Sequence, residues 1–113
     1  MAGEILVAGV TLTAGAAATT SDTWNKGENS GTAMVNITNG ATGPTVAAQV
    51  QPEVSWNGVT FFADGGALVG GLGNAEESEW LYEPPEDCSN VRFICGSNTD
   101  EDVVVTIHVE GGY

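Results

Sequence analysis

Six carboxylates crowd one short stretch of this chain, Glu76, Glu77, Glu79, Glu83, Glu86 and Asp87, and Asp100-Glu101-Asp102 makes a second group. Glycosidases hold two carboxyls about 5–10 Å apart across a cleft, and closeness in sequence does not establish that arrangement. In the second group Asn98, Asp100 and Asp102 alternate, and several oxygens from one loop are what calcium selects. These three form a candidate cation site. No EF-hand-like glycine and bidentate glutamate follow at the expected offsets, so a solvated hairpin tip fits the same residues better. His108 is the sole histidine and lies between Ile107 and Val109. HExxH, CxxC and GxSxG are all absent, which leaves it without a partner of recognisable spacing. It reads as an exposed strand residue. Nothing supplies a nucleophile and its base, so the chain is expected to be no enzyme, with no cofactor and no resident metal.

Two cysteines, Cys88 and Cys95, are too few for a disulfide framework. Extended chain would separate them by about 23 Å, far beyond bridging distance, unless a turn intervened between Cys88 and Val91. Both are expected to be reduced, with Cys95 in the core. Asp64–Asn74 is glycine-rich but has neither GxGxxG order nor a P-loop lysine, so it is expected to be a loop with a brief strand at Ala67–Val69. Among the aromatics, Trp24, Trp56 and Trp80 could make a sugar platform. Trp56 falls on a core parity. Trp80 and Tyr82 share one face bordered by acids, where sugar stacking competes with the favoured use, packing in a core or at a subunit interface.

The elements that must position these residues are strands. Thr45–Trp56 alternates throughout, with Val46, Ala48, Val50, Val54 and Trp56 on one parity and Gln49, Gln51, Glu53 and Ser55 on the other. This predicts one long strand with a buried face, at an edge, bulged or split at Pro52, which lacks an N–H. Thr32–Asn39 alternates and stops at Asn39-Gly40, a turn dipeptide. Asn57-Gly58 predicts a hairpin from Val54–Trp56 to Val59–Phe62. Glu4–Ala8 and Val10–Ala14 are β-prone pieces broken at Gly9, forming an edge strand or docking on a partner. Asn90–Gly96 places Val91, Phe93 and Cys95 inward, and Asp102–Glu110 places Val103, Val105, Ile107 and Val109 inward. These last two are expected to pair as an antiparallel hairpin. Helical periodicity is absent, apart from a single turn conceivable at Ala75–Glu79. The reading is an all-β antiparallel sandwich or barrel-like domain of about eight strands, with little or no helix. Residues 1–20 form an arm or edge strand and residues 21–113 the sandwich.

Charge narrows the partners. The chain carries 15 Asp and Glu against only Lys26 and Arg92, a formal net charge of −13 over 113 residues. Neutralising phosphates takes Lys and Arg, so no nucleic-acid partner and no anionic membrane is expected. No apolar run is long enough to span a bilayer. The N-terminus lacks a basic n-region and makes a poor signal peptide, so synthesis and use without Sec export are expected.

Val35–Trp56, VNITNGATGPTVAAQVQPEVSW, and Val91–Val109, VRFICGSNTDEDVVVTIHV, carry a family resemblance. A strand ending in Asn-Gly, a Gly-Pro turn into a long alternating strand, and a late hairpin with an Asn-Thr tip are similar to the small β-rich head decoration, or cement, proteins of tailed bacteriophages. The likeness is one of turns and alternation over about half the chain. It implies a non-enzymatic virion structural protein that binds the exterior of a phage capsid and stabilises or decorates it. It implies synthesis in the host cytoplasm, a homotrimer, the major capsid protein as partner, and a shell contact through the N-terminal segment at Ile5, Leu6, Val7 and Val10. The alternative is a carbohydrate-binding or adhesive β-sandwich module on a virion fibre or cell surface.

Overall fold

The computed structural model describes residues 4–27 and 29–111. Ten strands follow in chain order: β1 (Glu4–Leu12), β2 (Thr19–Thr20), β3 (Trp24–Asn25), β4 (Gly31–Asn39), β5 (Gln49–Ser55), β6 (Phe62–Ala63), β7 (Leu68–Val69), β8 (Glu77–Tyr82), β9 (Asn90–Gly96) and β10 (Val103–Gly111). No helix is present among the described residues. One sheet runs β1-β10-β4-β8 and the other β2-β9-β5-β6, with β3 also on β9 and β7 also on β5. All pairings are antiparallel. The architecture is a β-sandwich, as the alternation predicts, with two more strands than expected because β2, β3, β6 and β7 have only two residues each.

Period-two patterning builds the core directly. From the first sheet, Ala33, Val35 and Ile37 of β4 and Val103, Val105, Ile107 and Val109 of β10 are buried. They face Val50 and Val54 of β5 and Val91, Phe93 and Cys95 of β9. Each fully buried Val, Ile or Phe contributes about 1.5–3 kcal/mol relative to exposure, so these four strands dominate the fold's stability. Trp24 is buried as well, at 2% exposure, opposite Val91 of β9.

Three expectations need correction. Asn90–Gly96 and Asp102–Glu110 are not a hairpin: β9 and β10 lie in opposite sheets. Both strands bury one apolar face, and facing sheets satisfy that requirement as well as adjacent pairing does. Their connection reverses through left-handed backbone at Ser97 (φ 74°) and Asp100 (φ 73°). It is pinned where Asn98 Nδ2 donates to Leu12 O and to Glu101 O, both at 2.9 Å.

The strand predicted over Thr45–Trp56 is only Gln49–Ser55. Val46 makes an isolated bridge to Thr99 and is 48% exposed, and Trp56 is 51% exposed rather than in the core. Strand parity fails at both ends because the chain turns there. Pro52 stays inside β5, opposite Phe93. Phe93 N–H donates to Ser21 Oγ and its carbonyl accepts from Ser21 N, both at 2.9 Å, so that pair exchanges no bonds. The missing proline donor therefore faces the other side of β5, where β7 ends at Val50 and β6 begins at Glu53 in register. Proline splits the neighbouring strand instead of its own. The third correction is the segment after Asn57-Gly58, which is β6 at Phe62–Ala63 and not a strand from Val59.

The glycine-rich segment is a loop containing β7, locked against the turn that leaves β4. Asn39 Nδ2 donates to Gly71 O at 3.1 Å and Gly73 O at 2.8 Å, and Ala75 N donates to Gly40 O at 2.7 Å. A Cβ at Gly43 would lie 2.0 Å from Leu72 O, so only glycine permits this approach.

Candidate interaction surface

The most exposed large apolar group of the described residues is Val59, at 82%, and exposed Trp56 and Phe62 lie three residues to either side of it in sequence. The loop that carries Trp56 and Val59 and leads into Phe62 of β6, residues 56–61, is fixed by its own polar atoms. Ser55 Oγ accepts from Gly58 N at 2.9 Å and Asn57 N at 3.3 Å, while Asn57 Oδ1 accepts from Val59 N at 2.8 Å and Thr60 N at 2.9 Å. Ser55 Oγ in turn donates to Asn57 Oδ1 at 3.1 Å. Gly58 takes φ +76°, and a Cβ there would lie 3.2 Å from Asn90 Oδ1. The base of the loop is clamped as well: Arg92 lies 4.1 Å from the Phe61 ring centroid and its Nε donates to Glu53 Oε1 at 2.8 Å. An apolar knuckle with its backbone already ordered loses little entropy on association. Aromatic anchors of this kind are where interface energy concentrates.

Among the described residues no group of three His, Cys, Asp or Glu side chains is placed to hold a metal ion. Asn98 is buried with its amide donating inward, Asp100 is exposed, and Asp102 Oδ1 accepts from Ala14 N at 2.9 Å. Tyr82 packs edge-on against Phe93, with centroids 5.9 Å apart, and its hydroxyl donates to Asp64 Oδ2 at 2.5 Å. Burial, then the Asp64 carboxylate, pushes its phenol well above the ordinary range. Trp80 packs partly buried against the same core. Both cysteines are free and buried. Burial raises the Cys95 thiol to about 11, and it raises Cys88 against the opposing pull of Lys26.

Lys26 is the residue that sequence reasoning missed. It is fully buried, and its Nζ donates to the carbonyls of Asn29 at 2.8 Å, Glu86 at 3.0 Å and Gly27 at 3.2 Å. A buried ammonium must be repaid in hydrogen bonds, and here the cage comes from two connections about sixty residues apart. With Arg92 held by Glu53 and Phe61, both basic side chains of the chain are used internally.

At the N-terminus, β1 is an edge strand paired to β10, with register shifts between Ile5 and Val7 and between Val7 and Val10. Val7 belongs to the core and Val10 is 39% exposed. The backbone register sets Ile5 opposite His108.

No protein-family model and no curated protein matches the chain. Among solved structures, a chain from the structure of infectious bursal disease virus, Gx strain, is similar, with TM-score 0.57 and 8% identity. The match covers 98% of this chain and 32% of the viral one, so this chain spans about a third of its neighbour's length. At that identity the likeness is one of fold: the sandwich found here is also found in a virus particle's protein.

Proposed function

We propose that this chain is a non-enzymatic virion structural protein that binds the exterior of a tailed-phage capsid. The observation that carries the reading is the pre-ordered apolar knuckle Trp56–Val59–Phe62 on an otherwise strongly acidic molecule. Exposed apolar groups held rigid on a soluble surface serve protein contacts, and the virus-borne sandwich fold supports a place in a particle. The major capsid protein is the partner, and the copies associate as homotrimers. Net charge −13 disfavours a genome-facing position and favours the outer surface. The N-terminal contact narrows to Ile5, Leu6 and Val10, since Val7 already packs inward.

Co-sedimentation tests this reading. Purified protein is mixed with expanded heads built from the capsid protein of the same genome. Wild type should pellet with the heads at saturable stoichiometry, and Trp56→Ser with Val59→Ser should weaken that at least about tenfold, the loss of a central anchor. Soluble protein that never associates with expanded heads would overturn the proposal.

A further inference from the structure

Of the four sheet edges, three are closed to a new strand. In the second sheet one edge is β2 and β3 and the other β6 and β7, all of two residues, and β1 is broken by two register shifts and by Gly9 at φ +60°. The fourth, β8, is six residues of regular strand. No strand pairs with its far side among the described residues.

Register says which of its groups face outward. β8 pairs with β4 as Ala33↔Tyr82, Val35↔Trp80 and Ile37↔Ser78, and one step on, Asn39 N donates to Glu76 O at 2.9 Å. Hydrogen-bonded pairs alternate along an antiparallel ladder, so Glu76, Ser78, Trp80 and Tyr82 bond inward to β4. The N–H and C=O groups of Glu77, Glu79 and Leu81 therefore point to the open edge. Their side chains stand on the outer face of the sheet, in rows with Thr38, Asn36 and Met34. Leu81 is 71% exposed, and beside it Met34, Glu79 and Trp80 complete a depression of about 280 Å³.

We propose that the β8 edge receives an extended, basic segment of a different protein as an added strand, with Lys or Arg beside Glu77 and Glu79 and an apolar side chain beside Leu81. Strand addition supplies affinity through the main chain and specificity through alternate side chains. A second copy of this chain is the wrong occupant. Antiparallel β8–β8 pairing about Glu79 would set that carboxylate against its own counterpart, and like charges directly opposite are destabilising. The acids thus act as guards against self-pairing while matching a basic strand. This edge lies in the opposite sheet from the 56–61 loop and does not depend on the capsid reading.

The test is residue-resolved amide hydrogen exchange on the full chain, with a short capped peptide as probe whose alternate residues, read antiparallel to β8, are valine, lysine and lysine with threonine between them. The same peptide with both lysines replaced by glutamate is the control. Protection should rise at least about tenfold at Glu77, Glu79 and Leu81, with Ser78, Trp80 and Tyr82 unchanged. The glutamate peptide should give no protection, and E77K with E79K should exchange the two peptides' ranks. Equal protection by both peptides, protection at β1 instead, or no protection at the three outward amides would overturn the proposal.

Discussion

Lys26 is sixty residues from one of the carbonyls that hold it, that of Glu86. Replacing it by methionine keeps most of the volume but leaves three carbonyl groups without their donor. An unmade bond in a buried site costs about 1–3 kcal/mol. Lys26→Met should therefore lower the thermal midpoint by about 10 °C, the size of a loss near 3 kcal/mol in a domain of this length. A calorimetric shift under about 2 °C would mean that the cage contributes little. Cys95 makes a pH prediction. Its thiol is raised from 9.0 to about 11 in the folded chain. The stability this carries is complete below pH 9, is lost as pH rises through 11, and is on the order of 3 kcal/mol. Denaturant melts between pH 8 and 11 should show a steeper alkaline loss in wild type than in Cys95→Ala; parallel curves would contradict the burial of the thiol.

At the scale of elements, the turn that follows β5 is the place where local chemistry overrides periodicity. Val50 and Val54 obey the alternation and are buried, whereas Trp56, on the same parity, leaves the sheet because Ser55 and Asn57 bond the next four residues into a turn. A left-handed Gly58 makes that turn possible. Gly58→Val should cost about 1–2 kcal/mol, from the left-handed strain on a β-branched side chain and the crowding of Asn90. Urea unfolding measures the cost, and a variant as stable as wild type would show the loop to be looser than its hydrogen bonds imply. Strand existence was legible in Ala33–Ile37, Val91–Cys95 and Val103–Val109, where alternation is unbroken. Sheet membership was not: β9 and β10 follow one another in sequence yet face one another in space, a choice made by the core and not by the turn. Lys26 was illegible for a similar reason, since a lone cation among acids reads as solvated until distant carbonyls are seen to converge on it. The turn at Asn57-Gly58 was legible, but the alternation assigned Trp56 to the core and Val59 to a strand, and neither assignment holds.

On the scale of the whole molecule, fifteen carboxylates are balanced by two basic groups that are already occupied. Copies gathered around one capsid axis would repel one another most where screening is weakest, with a Debye length of about 30 Å at 0.01 M salt against about 8 Å at 0.15 M. Occupancy of heads should therefore rise from low to physiological salt, as read by pelleting. Capture of a basic strand at β8 should show the opposite trend, and this difference in sign separates the two surfaces. Salt-independent pelleting would remove the electrostatic part of the account. The central claim is that the chain docks on a shell through Trp56, Val59 and Phe62, and a cryo-electron reconstruction of decorated heads reads it directly. The predicted map has the 56–61 loop buried against the outer surface of the capsid protein, with the acidic faces toward solvent. Density for the protein inside the shell, or the loop pointing away from it, would contradict the claim.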